Sequence, residues 1–329
     1  MIKVSAIVCH HQGDLVYGAI RTLLESRNVE FEIIVVTSIP NLQFESVRTL
    51  HLDGEPAKKR NYGVRCARGS LVAFFDDDVE VDRDCLAEQA KLFDDQSVGM
   101  TFGKLKNMEF RDRFDEAGSY LTWSGFLWAR AESGVVDTGQ FEKIQPVLAG
   151  KSASCMIRRS LYNKLDGMDE AMGILGEETD LAWRVWLSGQ IVLYAPQSLA
   201  YHAFNTKFKP QSFYTPKRVY YNGCRNYITM LLKNLEARNL WKILPFHILI
   251  WILAGFGMAC VGKWSASGNI FRGLLYVIDH ALSIAKKRKS IQQGRLIRDQ
   301  ELFLLILRQP SWRYYLQRFA RYIKVGLHG

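Results

Sequence analysis

Three consecutive carboxylates, Asp76, Asp77 and Asp78, are the densest chemical signal in this sequence. Adjacent like charges repel, so such a cluster is unfavourable unless a cation sits among them. Side chains alternate along an extended segment, which lets Asp76 and Asp78 face one ligand while Asp77 points away. Hard carboxylate oxygens suit Mg2+ or Mn2+. A second acidic group, Glu177, Glu178 and Asp180, follows Gly176 and opens a helical pattern through Trp186 that Gly189 can stop. Carboxylates are at home in a first turn, yet one held at a crevice mouth can also take a proton from a hydroxyl. Lys58, Lys59 and Arg60 stand near another helix start, where charge and free backbone N–H groups favour phosphate. His202 ends a short apolar run and is a further candidate for a metal or phosphate contact. His10 and His11 are adjacent, a poor spacing for one ion, and read as loop residues near the crevice.

These residues need elements to place them. Leu71–Phe75, bounded by Gly69-Ser70 and by charge, fits a strand buried on both faces and ending at the carboxylates. Val4–Cys9, Glu32–Thr37 and Val47–Leu52 read as strands, and Leu15–Ser26 and Pro56–Arg68 as helices. Buried strands alternating with helices predict an α/β fold with a doubly wound, mainly parallel sheet whose ligands bind at the strands' carboxyl ends. A loop from Gly167 to Gly176 with three glycines can bring the second acidic group to that side. Asp84–Phe93 reads as a helix and Val98–Lys104 as a strand, whereas Lys106–Gln145 is irregular and reads equally as a lid or a packed connector. Ile191–Tyr194 is predicted to be a strand ended by Pro196, with Leu199–His202 as a separate one.

Charge is unevenly spread. Residues 1–206 carry 22 basic and 29 acidic side chains, while residues 207–329 carry 21 and 4. A basic tail suits nucleic acid or anionic lipid, and apolar segments within it favour lipid. Ile243–Gly262 is 20 residues without a formal charge, about 30 Å as a helix and long enough to cross a bilayer core. A single crossing would leave 13 basic and 3 acidic residues outside, against the positive-inside rule. A return leg over Ile270–Ala285 keeps Lys286-Lys-Arg-Lys289 inside, and interfacial insertion serves equally. Trp312, Tyr314, Tyr315, Phe319 and Tyr322 among Arg313, Arg318 and Arg321 suggest a final interfacial helix; no nucleic-acid-binding fold accompanies them. Six scattered cysteines without metal spacing point to a reducing compartment, and the first apolar run is too short for a signal peptide. The expected division is a catalytic domain at 1–206, a basic helical connector at 207–242 and a membrane-associated helical region at 243–329.

In order along the chain, Gly54-Glu-Pro-Ala-Lys-Lys-Arg-Asn-Tyr-Gly63, Phe74-Phe-Asp-Asp-Asp-Val79, Lys151-Ser-Ala-Ser-Cys-Met-Ile-Arg-Arg-Ser160, Gly167-Met-Asp-Glu170, Gly176-Glu-Glu-Thr-Asp-Leu-Ala-Trp-Arg184 and Tyr221-Asn-Gly-Cys-Arg-Asn226 resemble family 2 inverting glycosyltransferases. The resemblance implies a GT-A-like fold with a doubly wound mixed, mainly parallel sheet, a nucleotide-diphospho sugar as donor, and Mg2+ or Mn2+ held by an Asp-x-Asp element. By position, Asp76 and Asp78 fall on that element, with His202 as a further metal candidate. Lys58, Arg60, Asn61, Asp76 and Asp77 fall on the donor-binding side, and Glu178 falls on the catalytic base, with Asp180 as its alternative. It further implies a glycan or lipid-linked acceptor, a membrane surface with anionic lipids, and a place on the cytoplasmic face of the plasma (inner) membrane in cell-envelope polysaccharide or glycolipid synthesis. Two departures stand out: Thr37-Ser38-Ile39-Pro40 replaces an Asp-rich turn that contacts the nucleotide base, and the base position holds Glu rather than Asp. A sugar nucleotidyltransferase would share the α/β fold and metal-binding Asp residues, but His10-His-Gln-Gly-Asp14 is a poor phosphate loop for one. A non-catalytic glycosyltransferase-like scaffold would have no need to keep Asp76, Asp78 and Glu178 together.

Overall fold

The computed structural model describes residues 3–203, 215, 217–311 and 313, which group by their internal contacts into two units. The first takes in the chain up to Ser119, Ala129–Gly173, and Glu177 onward through the strand ending at His202. Its elements run β1 (Val4–His10), α1 (Leu15–Leu24), β2 (Phe31–Thr37), β3 (Arg48–His51), α2 (Pro56–Cys66), β4 (Leu71–Asp76), β5 (Val79–Val81), α3 (Cys85–Leu92), β6 (Val98–Asn107) and β7 (Phe114–Glu116). After the hairpin of β8 (Ser119–Leu121) and β9 (Leu127–Ala129) come β10 (Gln145–Pro146), β11 (Ser154–Arg158), α4 (Arg159–Lys164), α5 (Glu177–Leu187) and β12 (Ile191–His202).

Among the described residues the main sheet is ordered β10-β12-β6-β11-β4-β1-β2-β3, with β5 on β12 and β7 on β6. The parallel half, β4-β1-β2-β3, was legible in the sequence, because β1, β2 and β4 are largely apolar runs that are mostly buried, with the half-exposed β3 at the edge. All seven residues of β1 are buried. Val16, Ile20 and Leu23 of α1 and Leu86 and Ala90 of α3 share one apolar cluster with Val4, Ala6, Val8 and Phe75. Pro56 starts α2, where a missing N–H costs nothing, and Ala57, Arg60, Asn61 and Val64 form its buried face. The register sets Cys9 beside both Val36 and Asp76, so the carboxyl ends of β1, β2 and β4 lie level.

β11 runs antiparallel between β4 and β6, so the sheet is mixed, in keeping with the expected fold class. Several element boundaries in this half differ from expectation. The two strands expected on either side of Pro196 are one strand, β12. Its pairing with β6 skips between Ala195 and Leu199, so a bulge absorbs the residue that cannot donate to the ladder. β6 extends to Asn107, and part of the stretch expected to be irregular pairs as β7 and β10. His10 is the last residue of β1 rather than a loop residue; it is buried, with its Nδ1 2.9 Å from Thr37 Oγ1.

The second unit comprises Tyr120–Trp128, Ile174–Gly176 and the helices from Lys217 on. A π-helical turn (Lys217–Asn222) leads into α6 (Gly223–Asn234), α7 (Ala237–Cys260), α8 (Trp264–Asp279), α9 (Ala281–Gln293) and α10 (Asp299–Ile306). Trp251, Ala254 and Met258 of α7 pack with Cys224, Ile228, Ala266 and Ile270. Phe246, Leu249, Leu253 and Phe256, spaced three and four apart, form an exposed stripe on α7. By length and composition α7 could cross a membrane, although a third of its apolar window is buried in protein. The return leg expected at Ile270–Ala285 is not one helix: α8 stops at Asp279 and α9 begins at Ala281. The expected helix around Trp312–Tyr322 lies outside the described residues apart from Arg313.

Candidate active site

The end of β4 carries the first acidic group to the carboxyl end of the parallel strands. Asp76 is partly exposed and Asp78 is buried, and the register of β5 on β12 sets His202 opposite Val79. His202 Nε2 stands 3.3 Å from Asp78 Oδ1 and 4.0 Å from Asp76 Oδ2. One ligand atom from each of these three residues lies within 4.8 Å of the others. Two carboxylates and an imidazole form a donor set suited to a divalent cation such as Mn2+ or Mg2+. Asp77 turns elsewhere, its Oδ2 accepting the backbone N–H of His11 at 3.1 Å.

His202 is held from behind. Its Nδ1 lies 2.8 Å from Asp115 Oδ2, and Lys151 Nζ donates to Asp115 Oδ1 at 2.6 Å. Burial alone would lower the His202 pKa, but Asp78 and Asp115 outweigh it and pull it up to about 9. Burial would likewise raise Asp115, but Lys151 and His202 hold it down at about 2.

Arg60 joins the two acidic groups. Its side chain is only 2% exposed, and it donates from Nη2 to Asp76 and from Nη1 to Glu177, each at 2.7 Å. Burial opposes its charge, but Asp76 and Glu177 among its neighbours hold it firmly protonated. Burial raises the pKa of Glu177 and, more strongly, of Glu178, where the neighbouring Glu177 carboxylate adds to the effect. The buried Cys155 thiol of β11 is also raised, chiefly by burial, and responds to Arg60, Glu178 and Asp76 together, so these groups share one neighbourhood.

Asp180, the alternative to Glu178, is fully buried and pairs with Arg184 at 2.9 Å. Arg184 also donates to the Leu165 and Gly167 carbonyls, at 2.6 and 2.8 Å. Through Arg184, Asp180 ties α5 to the loop that precedes it. Asn61, expected on the donor-binding side, is engaged within the protein. Its amide donates to Met168 O and Glu170 Oε1, and its carbonyl oxygen accepts from Met168 N and Tyr162 Oη. Lys58 is exposed, with its ammonium 3.4 Å from the Asp53 carbonyl. The buried lysine is Lys59, which donates to His10 O at 2.6 Å.

Sequence reasoning missed the roles of Glu177, Asp115 and Lys151. Glu177 has Arg60 as a partner far away in sequence, and Asp115 lies in the stretch that looked irregular. Glu177 and Lys151 did carry a signal, since both lie in the motif series along the chain, whereas Asp115 carried none.

The sheet, the acidic strand end and the α5 carboxylates together agree with a family comparison. Residues 71–284 match glycosyl transferase family group 2. The chain belongs to glycosyl transferase family group 2. Among curated relatives of this family 2 chain are the pre-mycofactocin glycosyltransferases of two Mycobacterium tuberculosis strains, CDC 1551 and H37Rv, each 27% identical over 217 residues. That alignment covers 61% of this chain and 40% of each relative, so the chain spans well under half of their length. Residues 1–349 of S. aureus TarS, solved alone and in complex with UDP-GlcNAc, superpose with TM-score 0.54 at 18% identity, covering 90% of this chain and 93% of that one. GalNAc-T7, solved with UDP, GalNAc and Mn2+, gives TM-score 0.52 at 16% identity over 70% of this chain and 51% of its own. These likenesses establish a GT-A-like fold for the family 2 chain.

Proposed function

We propose that this protein is a metal-dependent inverting glycosyltransferase that moves a sugar from a nucleotide-diphospho donor to a hydroxyl of a glycan or lipid-linked acceptor. The observation that carries the reading is Arg60, which ties the Asp76 end of a cation-binding set to the start of the helix bearing Glu178. A divalent cation bound by Asp76, Asp78 and His202 supplies charge neutralisation to the leaving diphosphate. Mn2+ and UDP in GalNAc-T7, and UDP-GlcNAc in TarS, make Mn2+ with uridine diphosphate sugars the first combination to test.

The remaining chemistry belongs to the side chains. Glu178 takes the acceptor proton as the acceptor oxygen forms its bond to the anomeric carbon, and the bond from that carbon to the diphosphate oxygen breaks with its electron pair leaving on the diphosphate. One displacement inverts the configuration. Burial raises the Glu178 pKa and so strengthens it as a base, while Arg60 keeps the raised value from climbing further. Asp77 steadies the loop after β1 through the His11 N–H, and exposed Lys58 remains a candidate for donor phosphate.

The α7 stripe and the basic tail favour a membrane-bound acceptor, with the protein on the cytoplasmic face of the inner membrane in cell-envelope polysaccharide or glycolipid synthesis. Membership of a transferase family disfavours the nucleotidyltransferase and scaffold readings. Purified protein incubated with Mn2+ and a panel of nucleotide sugars, with and without a lipid extract, should release nucleoside diphosphate and give an inverted glycoside. No release or transfer with any donor, or release unaffected by chelator, overturns the proposal.

A further inference from the structure

Asp115 is the extra residue of a bulge. β7 pairs with β6 through Phe114↔Lys106 and Glu116↔Leu105, so two steps on β7 meet one on β6 and Asp115 has no opposite number. Bulges re-aim a side chain, and this one directs Asp115 to His202, whose own strand partner across β6 is Asn107. Asp115 is 2% exposed and both of its oxygens are engaged, one by His202 Nδ1 and the other by Lys151 Nζ.

We propose that Asp115, braced by Lys151, is the positioning residue that fixes the His202 ring and tautomer so that Nε2 is presented to a divalent cation shared with Asp76 and Asp78. An ionised carboxylate can only accept, so Asp115 keeps the hydrogen on Nδ1, and a cation seated between Asp76 and Asp78 would take the place of the Nε2 proton and meet the Nε2 lone pair. Nε2 is the atom turned toward Asp76 and Asp78. With Lys151 holding the second oxygen, the Asp115 carboxylate cannot rotate away. Carboxylate–histidine–metal arrangements of this kind orient the ring and raise its basicity as a ligand. Lys151 immediately precedes the turn into β11, so the brace comes from a different segment than the bulge. The inference rests on the reading of Asp76, Asp78 and His202 as a cation site.

The test is Mn2+ affinity, read from the free-ion electron paramagnetic resonance signal in the presence of UDP, for the full chain and its Asp115→Asn, Lys151→Gln, His202→Ala and Asp115→Asn/His202→Ala variants. His202 and Lys151 engage different oxygens of Asp115 and an amide keeps only one of them, so Asp115→Asn should weaken Mn2+ binding by about 10–100-fold. Lys151→Gln, at a partly exposed position, should weaken it less while the fold is kept. The decisive comparison is the double variant, which should bind Mn2+ no more weakly than His202→Ala alone. Equal affinities for Asp115→Asn and the parent chain would overturn the inference, as would an Asp115→Asn loss of the same size with His202 already removed. A parent chain that binds no Mn2+ would instead overturn the cation site itself.

Discussion

Arg60 sits between two carboxylates from elements far apart in sequence, and its guanidinium fork matches both at once. Replacing it by Met leaves Glu177 buried without its cation. Removal of one partner from a buried pair typically costs about 3–5 kcal/mol, so urea denaturation of Arg60→Met should show a loss of that order. Arg60 also lowers the Glu178 pKa, which burial and Glu177 raise. A base must be deprotonated to act, so the acid limb of kcat/KM should lie above the ordinary glutamate value of about 4.3. Arg60→Met should move that limb to still higher pH; a limb that stayed put would separate Arg60 from the base. Glu178→Gln keeps the shape but cannot take a proton, and kcat should fall about a hundred- to ten-thousand-fold with nucleotide binding retained. Full transfer by that variant would exclude Glu178 as the base.

At the scale of elements, the loop before α5 depends on one backbone position. Gly167 has φ +64°, and a Cβ there would lie 2.6 Å from Asn61 Oδ1. Gly167→Ala should therefore cost about 1–3 kcal/mol in backbone strain before the clash is counted, measurable as a lowered urea midpoint. Glu178 activity should drop with it, because the same loop leads into α5. Elements legible in the sequence are those whose signal is local: β1, β2 and β4 as apolar runs, and α2 and α5 from a Pro start and helical spacing. β7 has only three residues and exists because β6 pairs with it, and β12 looked like two strands because Pro196 reads as a stop until a bulge is allowed. Asp76, Asp78 and His202 could be named from residue type and strand ends. That Asn61 and Asp180 are occupied internally could not, because their partners come from other elements.

For the whole molecule, the separation of charge was plain from composition, while the face that would meet lipid was not. Periodicity places Phe246, Leu249, Leu253 and Phe256 on one side of α7, but only packing reveals that this side is left open. Binding of the full chain to vesicles containing anionic lipid should weaken as salt rises. Phe256→Glu should reduce that binding by about tenfold or more, since burial of a Phe side chain is worth about 1.5–3 kcal/mol. Undiminished binding would place the membrane contact elsewhere.

The position of β12 bears on how the protein is made. It is the last strand of the first unit, yet it pairs along most of β6, one place in from the edge of the sheet order, and delivers His202 as its final residue. A ribosome adds about 5–20 residues per second, so β6 waits some seconds with its apolar edge open after the strands on its other side are available. An unpaired strand edge of this kind is a template for association with other chains. A chain truncated at Gln190 should accordingly aggregate rather than remain as a soluble half-sheet, and a nascent chain stalled there should be a substrate for chaperones that shield strand edges.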